Sequence, residues 1–90
     1  MFIEFDTDKR AKTLSERGLD FARAGDVFAD KHLTREDARE NYAEKRFQTA
    51  GWLDGRIVML VWTPRGEARR IISMRKANER EIKEIGIALG

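Results

Sequence analysis

The sequence predicts an α+β fold, a small antiparallel β-sheet with two N-terminal helices and a C-terminal helix. Two β-hairpins are predicted between Arg46 and Lys76, because turn residues separate three runs of strand-forming residues there. Apolar residues recur at helical spacing before and after that stretch. A chain of 90 residues can bury one modest core, so we expect a single domain over residues 1–90.

The segment before the hairpins predicts a strand and two helices. Residues 2–5 suit an edge strand or an extended lead-in, and Asp6 or Thr7 is a typical N-cap for the helix that follows. Gly18 suits the left-handed residue that ends a helix, and Asp20 would cap the next one. The apolar positions of the two helices need a sheet to cover them. They are Leu14, Phe21, Ala24, Val27 and Phe28.

The first hairpin has the clearer register. Asp54-Gly55 predicts a two-residue type I′ turn, which places Trp52 opposite Ile57 and Phe47 opposite Trp62. The strand after this turn is apolar on both faces, so we expect it to be central and covered at least in part on both sides. Trp62 is expected in the core, because a large ring in a central strand is usually buried.

The third strand raises a question of parity. In a regular strand Arg70 and Arg75 point to opposite faces, and only a bulge would bring them together. Arg46 shares a face with Met59 in the predicted register. A three-residue loop in the second turn would place Met59 opposite Ile71, on the side of Arg75.

The flanking segments differ in clarity. Residues 30–45 suit either a short helix, starting near Thr34, or a polar loop. Asn78 and Glu81 form a capping-box pair at the start of the last helix, whose apolar stripe includes Ile85. Gly86 is a point where this helix could end early.

Composition excludes several classes of protein. The chain has no Cys, so it has no disulfide framework and no thiolate site, which suits a reducing cytoplasm. No apolar run is long enough to cross a membrane, and the first residues lack the pattern of a secretory signal. His32 is the single histidine, and no metal-binding or phosphate-loop spacing is present. We therefore expect no metal and no cofactor.

The charge is distributed unevenly. Residues 1–44 hold 8 Lys/Arg and 11 Asp/Glu, a net −3, whereas residues 45–90 hold 10 and 5, a net +5. A basic half built around a sheet can attract a polyanion such as RNA, although a charged surface that only aids solubility is the simpler alternative. Arginines can bind phosphate through a planar fork of donors, and exposed aromatic rings can stack on unpaired bases.

The sequence resembles the BrnT family of bacterial toxins over roughly residues 2–85. The closing run is the most specific part, from Arg70-Ile71-Ile72-Ser73-Met74-Arg75-Lys76-Ala77 to Glu79-Arg80-Glu81. The middle run from Glu44 to Gly66 and the early pair Phe5-Asp6 are also similar. The chain departs from the family pattern at Thr13, where Asn is frequent. It departs again at Glu16-Arg17, where Lys-His precedes the glycine.

The resemblance implies a RelE-like fold, an antiparallel sheet with helices on one side. It also implies a metal-independent ribonuclease that blocks translation by cutting RNA. The implied partners are an RNA substrate and a cognate BrnA-like antitoxin. The antitoxin is a DNA-binding protein, so the toxin would contact DNA only indirectly, through the antitoxin. No membrane partner is implied.

A ribonuclease of this kind needs groups that clamp the phosphorane and groups that move protons. We assign the clamp to Arg46, Arg70 and Arg75, with help from Lys76, and consider Tyr42 or Glu44 as proton acceptors. Three further residues are expected to bind RNA: Arg65, Arg69 and Trp52. Two other classes stay open, a non-catalytic RNA-binding module and a protein-binding module whose basic face docks an acidic antitoxin segment.

Overall fold

The structure is a computed structural model that describes all residues 1–90. It contains a five-stranded sheet and three α-helices, with strand order β1-β5-β4-β3-β2. The strands are β1 (Phe2–Phe5), β2 (His32–Glu36), β3 (Phe47–Leu53), β4 (Arg56–Arg65) and β5 (Ala68–Lys76). The helices are α1 (Thr7–Arg17), α2 (Ala24–Ala29), which follows a 3₁₀ turn at Phe21–Arg23, and α3 (Glu79–Leu89).

The sheet is mixed, so the prediction of an antiparallel sheet is wrong in one respect. β1 pairs with β5 in parallel, with Phe2 opposite Ala68 and Phe5 opposite Ile71. The other three pairs of strands are antiparallel. Local alternation does not determine the relative direction of strands that lie far apart in sequence. Parallel pairing becomes possible here because α1 and α2 carry the chain back across the sheet after β1.

Residues 32–36 form a strand, so neither the short helix nor the polar loop predicted for this segment is correct there. β2 pairs antiparallel with β3, with Thr34 opposite Thr49 and the two hydroxyl oxygens 2.7 Å apart. Its other edge is free, and four of its five residues are exposed. An exposed edge strand lacks the apolar alternation by which strands are recognised in a sequence.

The hairpin of β3 and β4 confirms the predicted register, with Trp52 opposite Ile57 and Phe47 opposite Trp62. Asp54 and Gly55 both have positive φ, 51° and 78°, as a type I′ turn requires. β4 is the middle strand of the five, as predicted.

Helices cover both faces of the sheet, which corrects the expectation of helices on one side only. The larger core lies under α2 and the 3₁₀ turn and includes Phe21, Val27, Leu60 and Trp62. The smaller core lies under α3, where Leu89 and Ile85 meet Ala50, Ile57 and Met59. The face of the sheet opposite α2 is apolar at one end, and α3 packs on that end and buries it.

Trp62 fills the larger core, as predicted. It is 8% exposed, and its indole nitrogen donates to Thr49 Oγ1 at 2.8 Å. Its ring stacks on Phe47 with centroids 5.0 Å apart and meets Phe28 edge to face. This burial leaves no face of the Trp62 ring for a base.

A bulge in β5 resolves the question of parity. The second turn is shorter than a three-residue loop, since Arg65 already pairs with Ala68, and Met59 lies opposite Arg75 rather than Ile71. Val61 pairs with Ser73 while Trp62 pairs with Ile71, so Ile72 is an extra residue between them. Ile71 and Met74 are therefore both buried in the larger core. Arg70 and Arg75 consequently share the opposite face of the sheet.

The helix ends follow the predicted caps. The Asp6 side chain accepts from the backbone N–H groups of Asp8 and Lys9, and Gly18 closes α1 with φ of 69°. Asn78 and Glu81 form the reciprocal capping box of α3, which continues past Gly86 to Leu89. None of the helices is both long and apolar enough to span a membrane.

Candidate nucleic-acid interface

Arginines gather on the part of the sheet face that α3 leaves open. We call this surface the arginine face. Its centre is a row of neighbouring residues on four strands, Arg35, Gln48, Val61 and Ser73. The surface is defined by Arg35, Arg39, Arg46, Arg70 and Arg75. Three of these, Arg46, Arg70 and Arg75, are the predicted phosphorane clamp.

Arg75 is held by α3. Its two terminal nitrogens donate to the two carboxylate oxygens of Glu81, each at 2.7 Å. Glu81 Oε1 also accepts from the Asn78 backbone N–H, so the capping box and the ion pair share one carboxylate. The Arg75 guanidinium lowers the pKa of Glu81 to about 2, and Glu81 in turn raises the pKa of Arg75. Both groups therefore stay charged at neutral pH.

Arg46 lies on the same face at the start of β3. Its guanidinium carbon is 4.1 Å from the centroid of the Tyr42 ring, a cation–π contact. Its Nε is buried and has no hydrogen-bond partner. The backbone carbonyl of Arg46 accepts from Asp37 N–H at 2.7 Å, which ties the loop of residues 37–46 to the sheet.

Arg39 was not among the predicted site residues, because residues 30–45 suit either a short helix or a polar loop in the sequence. Its Nε and a terminal nitrogen donate to the buried carboxylate of Asp37 at 2.7 and 2.8 Å. Bonding by Arg39 holds the pKa of Asp37 below its usual value. Arg39 is also close enough to Arg75 for the two positive charges to oppose each other. The buried Asp37 thus brings a further arginine to this surface.

Arg35 was missed for a related reason. Its Nε donates to Gln48 Oε1 at 3.1 Å across the β2–β3 pair, and its charge contributes to the low pKa of Glu81. Its position on the sheet could not be predicted, because the sequence did not predict the strand β2. The sequence offered no strand signal here, because residues 32–36 lack apolar alternation.

Arg70 lies at the far side of this surface. It sits opposite Glu4 of β1 in the parallel register, and its guanidinium donates to Glu4 Oε1 at 2.7 Å. The pair is partly exposed, so solvent weakens it and a phosphate can compete for the arginine.

Four other predicted site residues lie elsewhere. Lys76 is opposite Val58, on the side of the larger core, and lines a groove at the turn end of the sheet with Trp52. Trp52 itself packs against the smaller core. Arg69 stacks on Phe28 and Trp62 beneath α2, with its guanidinium carbon 4.3 and 4.6 Å from the ring centroids. Arg65 is exposed beside Glu44, at 3.7 Å. The structure keeps Lys76, Trp52 and Arg69 away from the arginine face, whereas Arg65 lies on the same side of the sheet as Val61 and Arg70, at the end of β4.

Arg17, which replaces a frequent histidine of the family pattern, supports β5. One of its terminal nitrogens donates to the carbonyl oxygen of Met74 at 2.9 Å. β1 pairs with β5 only as far as Ile71. Arg17 therefore hydrogen-bonds to the part of the β5 backbone that β1 does not reach. This contact lies two residues from the bulge.

The arginine face combines five guanidinium groups with three carboxylates, those of Glu4, Asp37 and Glu81. Its excess of positive charge suits a polyanion, and the fork of each arginine matches phosphate oxygens. No group of three or more His, Asp or Glu side chains lies close enough together to hold a metal ion.

Replacing Glu81 by Gln should destabilise the protein in a pH-dependent way. A carboxylate whose folded pKa is about 2, against an ordinary value of 4.5, stabilises the fold above pH ~4.5. That contribution is lost as the pH falls towards 2. We expect a lower free energy of unfolding for Glu81→Gln than for the original chain at pH 7, with the difference shrinking below pH ~4.5. Urea titrations at pH 7 and pH 2.5 measure it, and an equal difference at both values would contradict the role of the ion pair.

Comparison with known proteins places this surface in a family. A family model described as "Ribonuclease toxin, BrnT, of type II toxin-antitoxin system" matches residues 5–81 of the 90-residue chain. A search of curated proteins found no match. The matched residues include β5 with its bulge and all five residues that define the arginine face. The chain belongs to the BrnT family of ribonuclease toxins of type II toxin–antitoxin systems.

Proposed function

We propose that this toxin cuts RNA on the arginine face, without a metal ion, and thereby blocks translation. The observation that carries the proposal is the bulge at Ile72, which places Arg70 and Arg75 on one side of β5 together with Arg46 of the neighbouring hairpin. Arg46 and Arg70 flank β4, so their backbones are about 10 Å apart. One stretch of RNA backbone can reach both. We further propose that the protein acts in the cytoplasm, where messenger RNA is translated.

The reaction would use the 2′-hydroxyl of the RNA as nucleophile. Its attack on the adjacent phosphorus forms a phosphorane, and the bond to the 5′-oxygen then breaks. Arg46, Arg70 and Arg75 would stabilise the negative charge of the phosphorane, since a guanidinium keeps its proton and donates several hydrogen bonds. Positive side chains would thus supply the charge that a metal ion supplies in other nucleases.

Tyr42 is the better placed of the two proposed proton acceptors. It touches the guanidinium of Arg46, whereas Glu44 is next to Arg65 at the exposed end of β4. We propose that Tyr42, as its phenolate, accepts the proton of the 2′-hydroxyl and then gives it to the leaving 5′-oxygen. Lys76, Arg65 and Trp52 are proposed to contact flanking RNA, and Arg69 is proposed to stabilise the core through its stacking.

Removing an arginine of the clamp should relieve toxicity. We expect Arg75→Ala, Arg46→Ala and Arg70→Ala each to lower the rate of RNA cleavage by about 10²- to 10³-fold, because one donor to the developing charge is lost. Induced expression in bacteria, with growth and total RNA integrity as readouts, measures the effect.

Arg80→Ala is the matched control, because Arg80 is an exposed α3 arginine that pairs only with Glu84. It should remain as toxic as the original chain. Thermal unfolding checks that each variant folds. If all three clamp variants remain fully toxic, the assignment of the site is wrong. If cells that express the original chain grow normally and keep their RNA intact, the proposed function is wrong.

Cleavage should not depend on a divalent cation. We expect the purified toxin to cut RNA at the same rate with excess EDTA as with Mg²⁺, because arginines supply the positive charge. Ribosomes need Mg²⁺, so the assay uses naked RNA and gel analysis of its fragments. Cleavage that stops in EDTA and returns with one added metal would refute the metal-independent mechanism.

The family implies an antitoxin, and we propose that it is BrnA-like. The complex would bind DNA only through the DNA-binding domain of this antitoxin. Glu81 and Glu4 show how it could act, since both already bind arginines of the clamp through a carboxylate. An acidic segment of the antitoxin would occupy the arginine face in the same way.

Co-expression with a DNA-binding protein encoded beside the toxin gene should restore growth. We expect the two proteins to co-purify, and we expect the complex to dissociate in high salt because screening weakens contacts between exposed charges. A neighbouring protein that rescues growth without binding the toxin would contradict the proposal.

We also propose kinship with RelE-type ribonucleases. The α+β architecture with an open sheet face supports it. Superposition of an experimental structure on solved RelE-type toxins would check this, and a different strand order in them would refute it.

A further inference from the structure

A groove lies beside Arg75, where α3 leaves the sheet. It encloses about 220 Å³ between α3 and the strands β2, β3 and β4. Its apolar lining comes from Leu33, Ala50, Met59 and Ile85. Its size is below the ~300–1,000 Å³ typical of pockets for drug-sized ligands. A single planar base is the part of an RNA chain that suits a space of this size and lining.

Polar groups stand at the edge of the groove nearest the clamp. Gln48 and Arg35 line it, and so do Glu84 and Glu81, of which Glu81 binds Arg75. A base in the groove would therefore lie next to a phosphate held by Arg75. An apolar slot with hydrogen-bonding groups, next to the arginines of the clamp, fits a nucleotide better than an uncharged apolar ligand.

Gln48 is the unusual residue of this groove, since it is 9% exposed and lies in the interior of β3. Its Oε1 accepts from Arg35 Nε, which fixes the orientation of the amide. Its amide nitrogen makes no hydrogen bond within the protein and is open to solvent where Gln48 lines the groove. Its two N–H donors are therefore free to bind a ligand that replaces water there.

We propose that the groove is a nucleobase subsite, in which Gln48 and Arg35 select the base beside the cleaved bond. The proposal rests on the proposed ribonuclease function and adds a specificity determinant to it. Both residues present N–H donors, those of the Gln48 amide and the remaining nitrogens of Arg35. They select a base whose edge offers carbonyl acceptors, guanine first and uracil second. Adenine presents an amino donor, which these donors repel.

Two substitutions test the role of Gln48. Gln48→Leu removes the donors at nearly constant volume. Gln48→Glu is isosteric and can pair with Arg35, and its carboxylate accepts from the amino groups of adenine and cytosine. Lys12→Gln, at an exposed position of α1 on the opposite side of the sheet, is the control.

The measurement is the base composition at RNA ends mapped after induction of each variant in bacteria. We expect the original chain and Lys12→Gln to cut beside guanine or uracil. Gln48→Leu should reduce that preference roughly tenfold, and Gln48→Glu should shift cleavage towards adenine and cytosine. The shift of preference is a readout that a merely structural role would not produce. If Gln48→Leu fails to fold, the base preference of Gln48→Glu alone tests the proposal.

Cleavage by the original chain with no base preference would overturn the subsite while leaving the ribonuclease proposal intact. An unchanged preference in Gln48→Glu would do the same. If expression of the original chain produces no new RNA ends, the ribonuclease proposal is overturned instead, and the nucleobase subsite with it.

Discussion

The burial of β4 on both faces is the constraint on which the rest of the structure depends. Val58, Leu60 and Trp62 face one way and Ile57 and Met59 the other, and all five are buried. Such a strand must be central and must have a layer on each side. α2 and the 3₁₀ turn cover the larger core on one side, whereas α3 covers only part of the other side. The uncovered remainder is the arginine face.

That surface is stabilised by local partners rather than by burial. Each of its arginines has its own partner: Gln48 for Arg35, Asp37 for Arg39, the Tyr42 ring for Arg46, Glu4 for Arg70 and Glu81 for Arg75. Exposed ion pairs contribute only ~0–1 kcal/mol to stability. Their larger effect is to fix the orientation of each guanidinium, which would reduce the entropy lost if a phosphate binds there.

Local signals in the sequence predicted the local parts of this fold. The type I′ turn at Asp54-Gly55 gave the β3–β4 register, and the capping box of Asn78 and Glu81 gave the start of α3. Features set by distant contacts were not predictable. The parallel direction of β1 depends on a crossover, and β2 is an exposed edge without apolar alternation.

The candidate site shows the same division. Arg46, Arg70 and Arg75 were found from composition and resemblance, while their common face depended on a bulge that the sequence offered only as an alternative. Arg35 and Arg39 were missed because their positions depend on β2 and on the buried Asp37. Lys76 was placed with the clamp, although the same bulge turns it towards the other face.

The bulge has a consequence for how such a chain can vary. Ile72 is the extra residue, and its side chain belongs to neither row of core positions on β5. Many different side chains could stand at this position without moving the arginines. A chain one residue shorter here would keep every arginine and most of its sequence similarity. It would nevertheless turn Arg70 to the opposite face from Arg75 or expel one of the buried residues Ile71 and Met74 from the core. Among relatives, the length of this strand is therefore more informative about the site than the identity of its middle residue.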